Sequence, residues 1–310
     1  MDNIWFVEPI RAERAALVAL LQQPGVRWAE VTAEVLELGS ATVVLERYLA
    51  GGDVLFAVGD AQAALDKAER DIQQWEAEGI GVHAFYDSSY PAQLRDVHQL
   101  PPVIFTRGEV RDDRRAVAVV GTRQASARGL GIARTVATAL ARNDVTVVSG
   151  LAAGIDTAAH TAALQAQGRT VAVIGTGIRR AYPAANAQLQ QEIGRRGLVL
   201  SQFWPDGAPT KQTFPMRNAV MSGYAAATVV VEAPWRSGAR IQARLALQHG
   251  RPVVMPRELL EHDWARDYAE RPGVYVVDNT EELLAVTEKL VAEAAGGFES
   301  PQELSTVVQF

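Results

Sequence analysis

Up to about residue 75 the apolar positions recur at helical spacing: Ile10, Leu17, Leu20 and Leu21, then Val31, Val35 and Leu36. Gly39-Ser40 and Gly51-Gly52-Asp53 interrupt that rhythm, which predicts short helices joined by tight turns. A charged amphipathic segment, Leu65 to Gly79, leads into a short strand around Val82–Phe85. From Ala116 the pattern changes. Short β-branched runs appear at Ala116–Val120, Val145–Ser149, Thr170–Ile174, Leu198–Ser201, Thr228–Glu232, Pro252–Met255 and Val274–Val277. Helical stretches such as Leu130–Arg142, Thr157–Gln167, Asn186–Arg196 and Ile241–His249 lie between most of them. Apolar strands alternating with helices of this length predict βαβ units. The fold class is therefore α/β: a Rossmann-like doubly wound, mostly parallel sheet preceded by a small helical domain. The expected divisions are a helical domain at 1–75, the sheet domain at 76–293 and a tail at 294–310.

The 310 residues include no cysteine, which excludes disulfides, thiolate metal sites and a cysteine nucleophile. Met1-Asp2-Asn3-Ile4-Trp5 lacks a basic start followed by an apolar run, and no 18-residue apolar stretch occurs. A cytoplasmic protein with no membrane partner is expected. The net charge of −6 at first argues against nucleic acid, whose binding calls for a basic surface. Charge is unevenly spread, however. Residues 113–220 hold 13 Lys+Arg against 5 Asp+Glu, a net of +8, and the rest of the chain carries −14. Twelve of those cations are arginines, which grip phosphate bidentately and stack on bases.

The loops that follow the strands concentrate the candidate chemistry, since open parallel sheets bind ligands at their carboxyl edge. After the first strand of the α/β domain, Gly121 permits close approach, Thr122 and Ser126 offer hydroxyls, and Arg123 offers a phosphate fork ahead of a helix N-terminus. The spacing is not the dinucleotide G-x-G-x-x-G, and Gly129-Leu130-Gly131 lies too far along to replace it. After the second strand, Gly150 and Gly154 frame another anion-receptive turn; Asp156 reads as a helix N-cap, one turn from His160. After the third come Gly175-Thr176-Gly177 and Arg179-Arg180-Ala181-Tyr182-Pro183. A loop between Ser201 and Thr228 carries Lys211, Phe214, Arg217 and Asn218, cations for phosphate beside a flat ring for a base.

These motifs resemble the DNA-processing protein A family, DprA or Smf, over Val119 to about Pro256. The matching runs are Val-Gly-Thr-Arg-x-x-Ser-x-x-Gly at 120–129, Ser-Gly-Leu-Ala-x-Gly-Ile-Asp-x-x-Ala-His at 149–160 and Tyr-Pro-x-x-Asn at 182–186. Further along lie Phe-Pro-x-Arg-Asn at 214–218 with Ser222-Gly223, and Val-Val-Glu-Ala at 230–233 with Ser237-Gly238. Tyr90-Pro91-x-x-Leu94 and the run from Leu100 to Gly108 look like the family's lead-in strands. The resemblance implies an extended Rossmann domain, dimeric, that binds single-stranded DNA without hydrolysing it. It further implies a role in loading the strand-exchange recombinase during natural transformation. Carried over, the pocket takes in Gly121, Arg123, Ser126, Gly150, Lys211, Phe214, Arg217 and Asn218. Thr122, Gly154, Gly175, Ser237 and Gly238 complete the expected DNA and phosphate site. No catalytic residue, cofactor or metal is expected. The chain departs from the family pattern at Ala219, at Ala239-Arg240-Ile241-Gln242 and at Arg257, and no winged-helix domain is expected after the sheet.

The alternative is a nucleotide-binding sensor or phosphoribohydrolase of the same superfamily, in an anti-phage defence module. Its enzymes place a glutamate after a glycine-rich turn where this chain has Gln242, which cannot exchange a proton. Glu232 stands nearby, with a helix-capping or dimer-contact role the simpler reading. The acidic C-terminal residues Glu258, Glu261, Asp263, Asp267, Glu270, Glu281 and Glu282 fit solvated helix faces.

Overall fold

A computed structural model describes residues 7–50, 60–98, 100–235 and 237–296. The turn expected at Gly51-Gly52-Asp53 and residues 297–310 of the expected tail lie outside them. Four helices come first: α1 (Val7–Leu21), α2 (Trp28–Leu38), α3 (Ala41–Ala50) and α4 (Asp60–Ala77). Leu17, Leu20, Leu21, Val31 and Val35 are buried, but Ile10 and Leu36 face solvent. Gly39 ends α2 in the left-handed conformation, φ 72°, with its N–H on Val35 O. Glu13 on α1 then accepts from Ser40 Oγ and Ala41 N, both at 2.6 Å, and so caps α3 from a neighbouring helix.

Nine strands form one sheet: β1 (Gly81–Ala84), β2 (Val103–Gly108), β3 (Ala116–Gly121), β4 (Thr146–Ser149), β5 (Thr170–Val173), β6 (Leu198–Ser201), β7 (Ala227–Glu232), β8 (Val253–Pro256) and β9 (Val274–Val277). Their order is β1-β2-β6-β5-β4-β3-β7-β8-β9. The seven strands from β6 to β9 in that order are parallel, and β2 runs antiparallel to β6 at one side. Crossovers are made by α5 (Ala127–Arg142), α6 (Ile155–Gln165), α7 (Ala187–Arg196), α8 (Thr213–Tyr224) and α9 (Gly238–Gln248). Then follow α10 (Asp263–Ala269) and α11 (Thr280–Gly296).

The period of two along β3 shows why helices cover both faces. Val117 and Val119 enter the apolar cluster with α5, α6 and α11; Ala116, Ala118 and Val120 enter the one with α8 and α9. That second cluster continues without a break into the N-terminal helices. Trp75 meets Phe105 edge-on at 5.2 Å, and Trp28 meets Trp204 at 5.3 Å. Among the described residues no helix is long and apolar enough to cross a membrane.

One segment expected as a loop is a helix. Lys211 does precede it in a turn, but Thr213–Tyr224 is α8. Pro215 sits in its first turn, where a missing N–H costs no helical bond. Residues Arg217 through Tyr224 are all buried, so no polar face marks the helical period.

Candidate functional site

The strand order reverses between β3 and β7, so the loops after these two strands part and leave a crevice at the carboxyl edge. A cavity of about 560 Å³ opens there. Gly121 to Gln124 form one wall, Pro234 and Ser237 to Ala239 another, and Phe214, Arg217 and Asn218 of α8 the floor. A smaller hollow beside it is bounded by Gly150, Gly175, Tyr182 and Pro183, and shares Arg123, Phe214 and Arg217 with the first.

Arg217 is only 6% exposed. Its Nη1 donates to Gly150 O and, at 2.9 Å, to Val173 O; its Nε donates to Asn218 Oδ1 at 2.9 Å. Nη2 has no acceptor among the described residues, and the side chain borders both hollows. Burial lowers its pKa, opposed by the Asp156 carboxylate and reinforced by Arg123. A guanidinium so held offers a fixed donor to an anion entering the cavity. Phe214, one turn earlier on α8, carries the Arg123 guanidinium over its ring at 5.1 Å and meets Tyr182 at 5.5 Å. Tyr182 is 44% exposed, so the group forms a partly open flat surface at the cavity mouth. Tyr182 stood in a recognised motif, but its value as a ring was not legible from that motif.

The strand-end glycines have a steric purpose. A Cβ on Gly150 would collide with the Arg217 guanidinium, and one on Gly175 would lie 2.9 Å from Phe214 Cδ1. Both positions are bare so that α8 can lay these side chains across the sheet edge. Gly121 makes room for Ile155 at the start of α6. Gly154 has φ 82° and is itself the N-cap of α6, so Asp156 is not the cap expected from sequence. Asp156 instead accepts from Gly150 N and Ala152 N at 3.2 and 3.3 Å. With Asn186 Nδ2 on Leu151 O at 2.9 Å, it holds buried Leu151 in the left-handed region, φ 56°. Burial raises the Asp156 pKa against the pull of Arg217. His160 is not hydrogen-bonded to Asp156: its Nδ1 pairs with Thr170 Oγ1 at 2.7 Å, and burial pushes its pKa down to about 3.

The anion site expected at the start of α5 holds the protein's own carboxylate. Glu232, ending β7, accepts from Ser126 N at 3.1 Å and Ser126 Oγ at 2.8 Å, while Ser126 Oγ accepts from Gly129 N. Ser126 is thus the α5 N-cap and borders neither hollow; Gly154 and Lys211 do not border them either. Ser237 caps α9 through Ala239 N, and Gly238 faces open space. The α9 N-terminus thus lies on the main cavity wall, and first-turn residues of α6 (Asp156) and α8 (Phe214) line the cavity as well. Gln242, buried, ties α9 to α8 with its amide nitrogen 2.9 Å from Asn218 O and its oxygen 3.2 Å from Ser222 N. Sequence reasoning also missed Gln124, Met221 and Pro234 in the lining.

The arginine surplus is smaller at the surface than along the chain. Arg114, Arg115, Arg128, Arg169, Arg179 and Arg196 are ion-paired, several to acids remote in sequence such as Glu78, Glu258 and Glu288. Arg123 makes no ion pair among the described residues.

A family model described as DNA recombination-mediator protein A matches residues 81–305. DNA processing protein DprA of Streptococcus pneumoniae is 38% identical over 221 residues, covering 71% of this chain and 72% of that protein. Protein Smf of Escherichia coli is 40% identical over 166 residues, covering 53% and 44%. The solved structure of DprA from Streptococcus pneumoniae matches with a TM-score of 0.64 at 30% identity, covering 89% of this chain and 95% of that one. A structure of DNA processing protein A from Helicobacter pylori, described for its single-stranded DNA binding mode, gives 0.60 at 25% identity and covers 67% and 96%. Because the matched stretch contains all nine strands and every loop at the carboxyl edge, the chain belongs to the DNA recombination-mediator protein A family.

Proposed function

We propose that this chain is a recombination mediator that binds single-stranded DNA at the carboxyl edge of its sheet, without catalysis. A backbone phosphate meets the Arg217 guanidinium and the α9 N-terminus, and an unpaired base lies against Phe214 and Tyr182. Arg123 supplies further charge from the rim, and exposed Lys211, which borders neither hollow, meets the strand beyond it. The protein acts in the cytoplasm as a homodimer and delivers the strand to a strand-exchange recombinase. The observation that carries this reading is the fixed, cavity-facing arginine beside an arginine–aromatic stack. Affinity for phosphate and a flat base, with no base-edge donors required, suits single strands of any sequence. A gel shift with a labelled oligonucleotide at low salt tests it; folded protein that leaves the oligonucleotide unshifted overturns it.

The second reading, a nucleotide sensor or phosphoribohydrolase, draws support from the cavity volume of about 560 Å³, which suits a single nucleotide. Against hydrolysis stands Glu232, whose carboxylate is engaged by Ser126 and does not border the cavity. Release of free base from nucleoside monophosphates, abolished by Glu232→Gln, would favour it.

A further inference from the structure

A second arginine–aromatic pair flanks the cavity wall formed by Pro234 and Ser237 to Ala239, just outside the lining itself. Trp235 follows β7, is 57% exposed, and lies between Pro234 and Ser237, which both line the cavity. Arg240, in the first turn of α9, places its guanidinium carbon 4.1 Å from the Trp235 ring centroid, closer than Arg123 lies to Phe214. Arg240 makes no ion pair among the described residues. An exposed indole covered on one face by a cation keeps its other face open and its orientation restricted, so little entropy remains to be lost on stacking. Among the described residues the ring joins neither apolar cluster.

We infer that Trp235, backed by Arg240, is a second base-stacking platform, so that one strand crosses the cavity with bases at both rims and a phosphate on Arg217 between them. The inference rests on the single-strand reading above. The chemistry is that of unpaired nucleobases: a flat indole stacks on any base, and the arginine beside it serves the adjoining phosphate. A duplex would keep its base faces inside its own stack.

The test uses the full chain, fluorescein-labelled oligo-dT of about 20 nucleotides, longer than a single site of this kind, and an abasic oligomer of the same length. Trp235→Ala should weaken oligo-dT binding about tenfold and Trp235→Phe by less than about threefold, while neither changes binding of the abasic strand. The exposure of Trp235 leaves the fold of both variants intact, and unfolding curves verify this. If wild-type protein binds neither oligomer, this inference and the single-strand reading fall together. If Phe214→Ala weakens oligo-dT binding and Trp235→Ala does not, only the second platform is overturned. Equal losses on oligo-dT and the abasic strand also overturn it, since stacking needs bases. Unchanged DNA affinity with an altered sedimentation coefficient overturns it too, and makes Trp235 a contact between copies of the chain.

Discussion

The Arg217 guanidinium fills the space above Gly150: a Cβ at position 150 would collide with Nη1, the same nitrogen that donates to Gly150 O. The absence of a side chain on β4's loop and the placing of a buried cation on α8 are therefore one feature. Gly150→Ala should cost about 1–3 kcal/mol in urea denaturation through overpacking, and should weaken oligonucleotide binding by displacing Arg217. Gly238→Ala, whose Cβ enters open space, should stay within about 0.5 kcal/mol of wild type.

Arg217→Lys keeps the charge but cannot span Gly150 O, Val173 O and Asn218 Oδ1 together. Fluorescence anisotropy should show oligonucleotide binding weakened at least about tenfold, the scale of one charge-assisted hydrogen bond.

The overall architecture was legible because strands such as Thr146–Ser149 and Leu198–Ser201 lie in short apolar runs bounded by polar turns. The helix that builds the site was not. In α8 the burial of every residue from Arg217 to Tyr224 erases periodicity, and Pro215 imitates a loop although a first turn accepts it. The glycine motifs stand at the carboxyl edge of the sheet, but no motif reveals the clearance that Gly150 and Gly175 leave for Arg217 and Phe214. Glu232 sits more than a hundred residues after Ser126, so its occupation of the α5 N-terminus depends on β3 pairing with β7. The same holds for arginines neutralised by Glu258 and Glu288, which a local charge count cannot see.

Glu232→Gln should cost about 0.5–2 kcal/mol in thermal or urea unfolding, the range of a lost helix cap and its charge. Oligonucleotide affinity should be unchanged, because the carboxylate borders neither hollow. A large loss of DNA affinity with preserved stability would place Glu232 in the binding surface instead.

His160 links stability to pH. Its pKa is pushed down to about 3 by burial, below the ordinary 6.5, so between these values the unfolded chain binds a proton that the folded chain does not. The stability it permits is full above about pH 6.5 and declines as pH falls, by about 1.4 kcal/mol per pH unit from this group. Urea midpoints from pH 7 to 5 measure the slope. His160→Asn should flatten it by about one proton's worth, whatever its effect on stability at pH 7.

The most direct measurement is the affinity of the full chain for a labelled oligonucleotide as a function of salt. With Arg217, Arg123 and Lys211 meeting phosphates, log K against log salt should fall with a slope near −2, and Lys211→Ala should reduce its magnitude by about 0.7. Absence of binding by folded protein at low salt, or a slope near zero, would contradict a DNA-binding edge on this sheet.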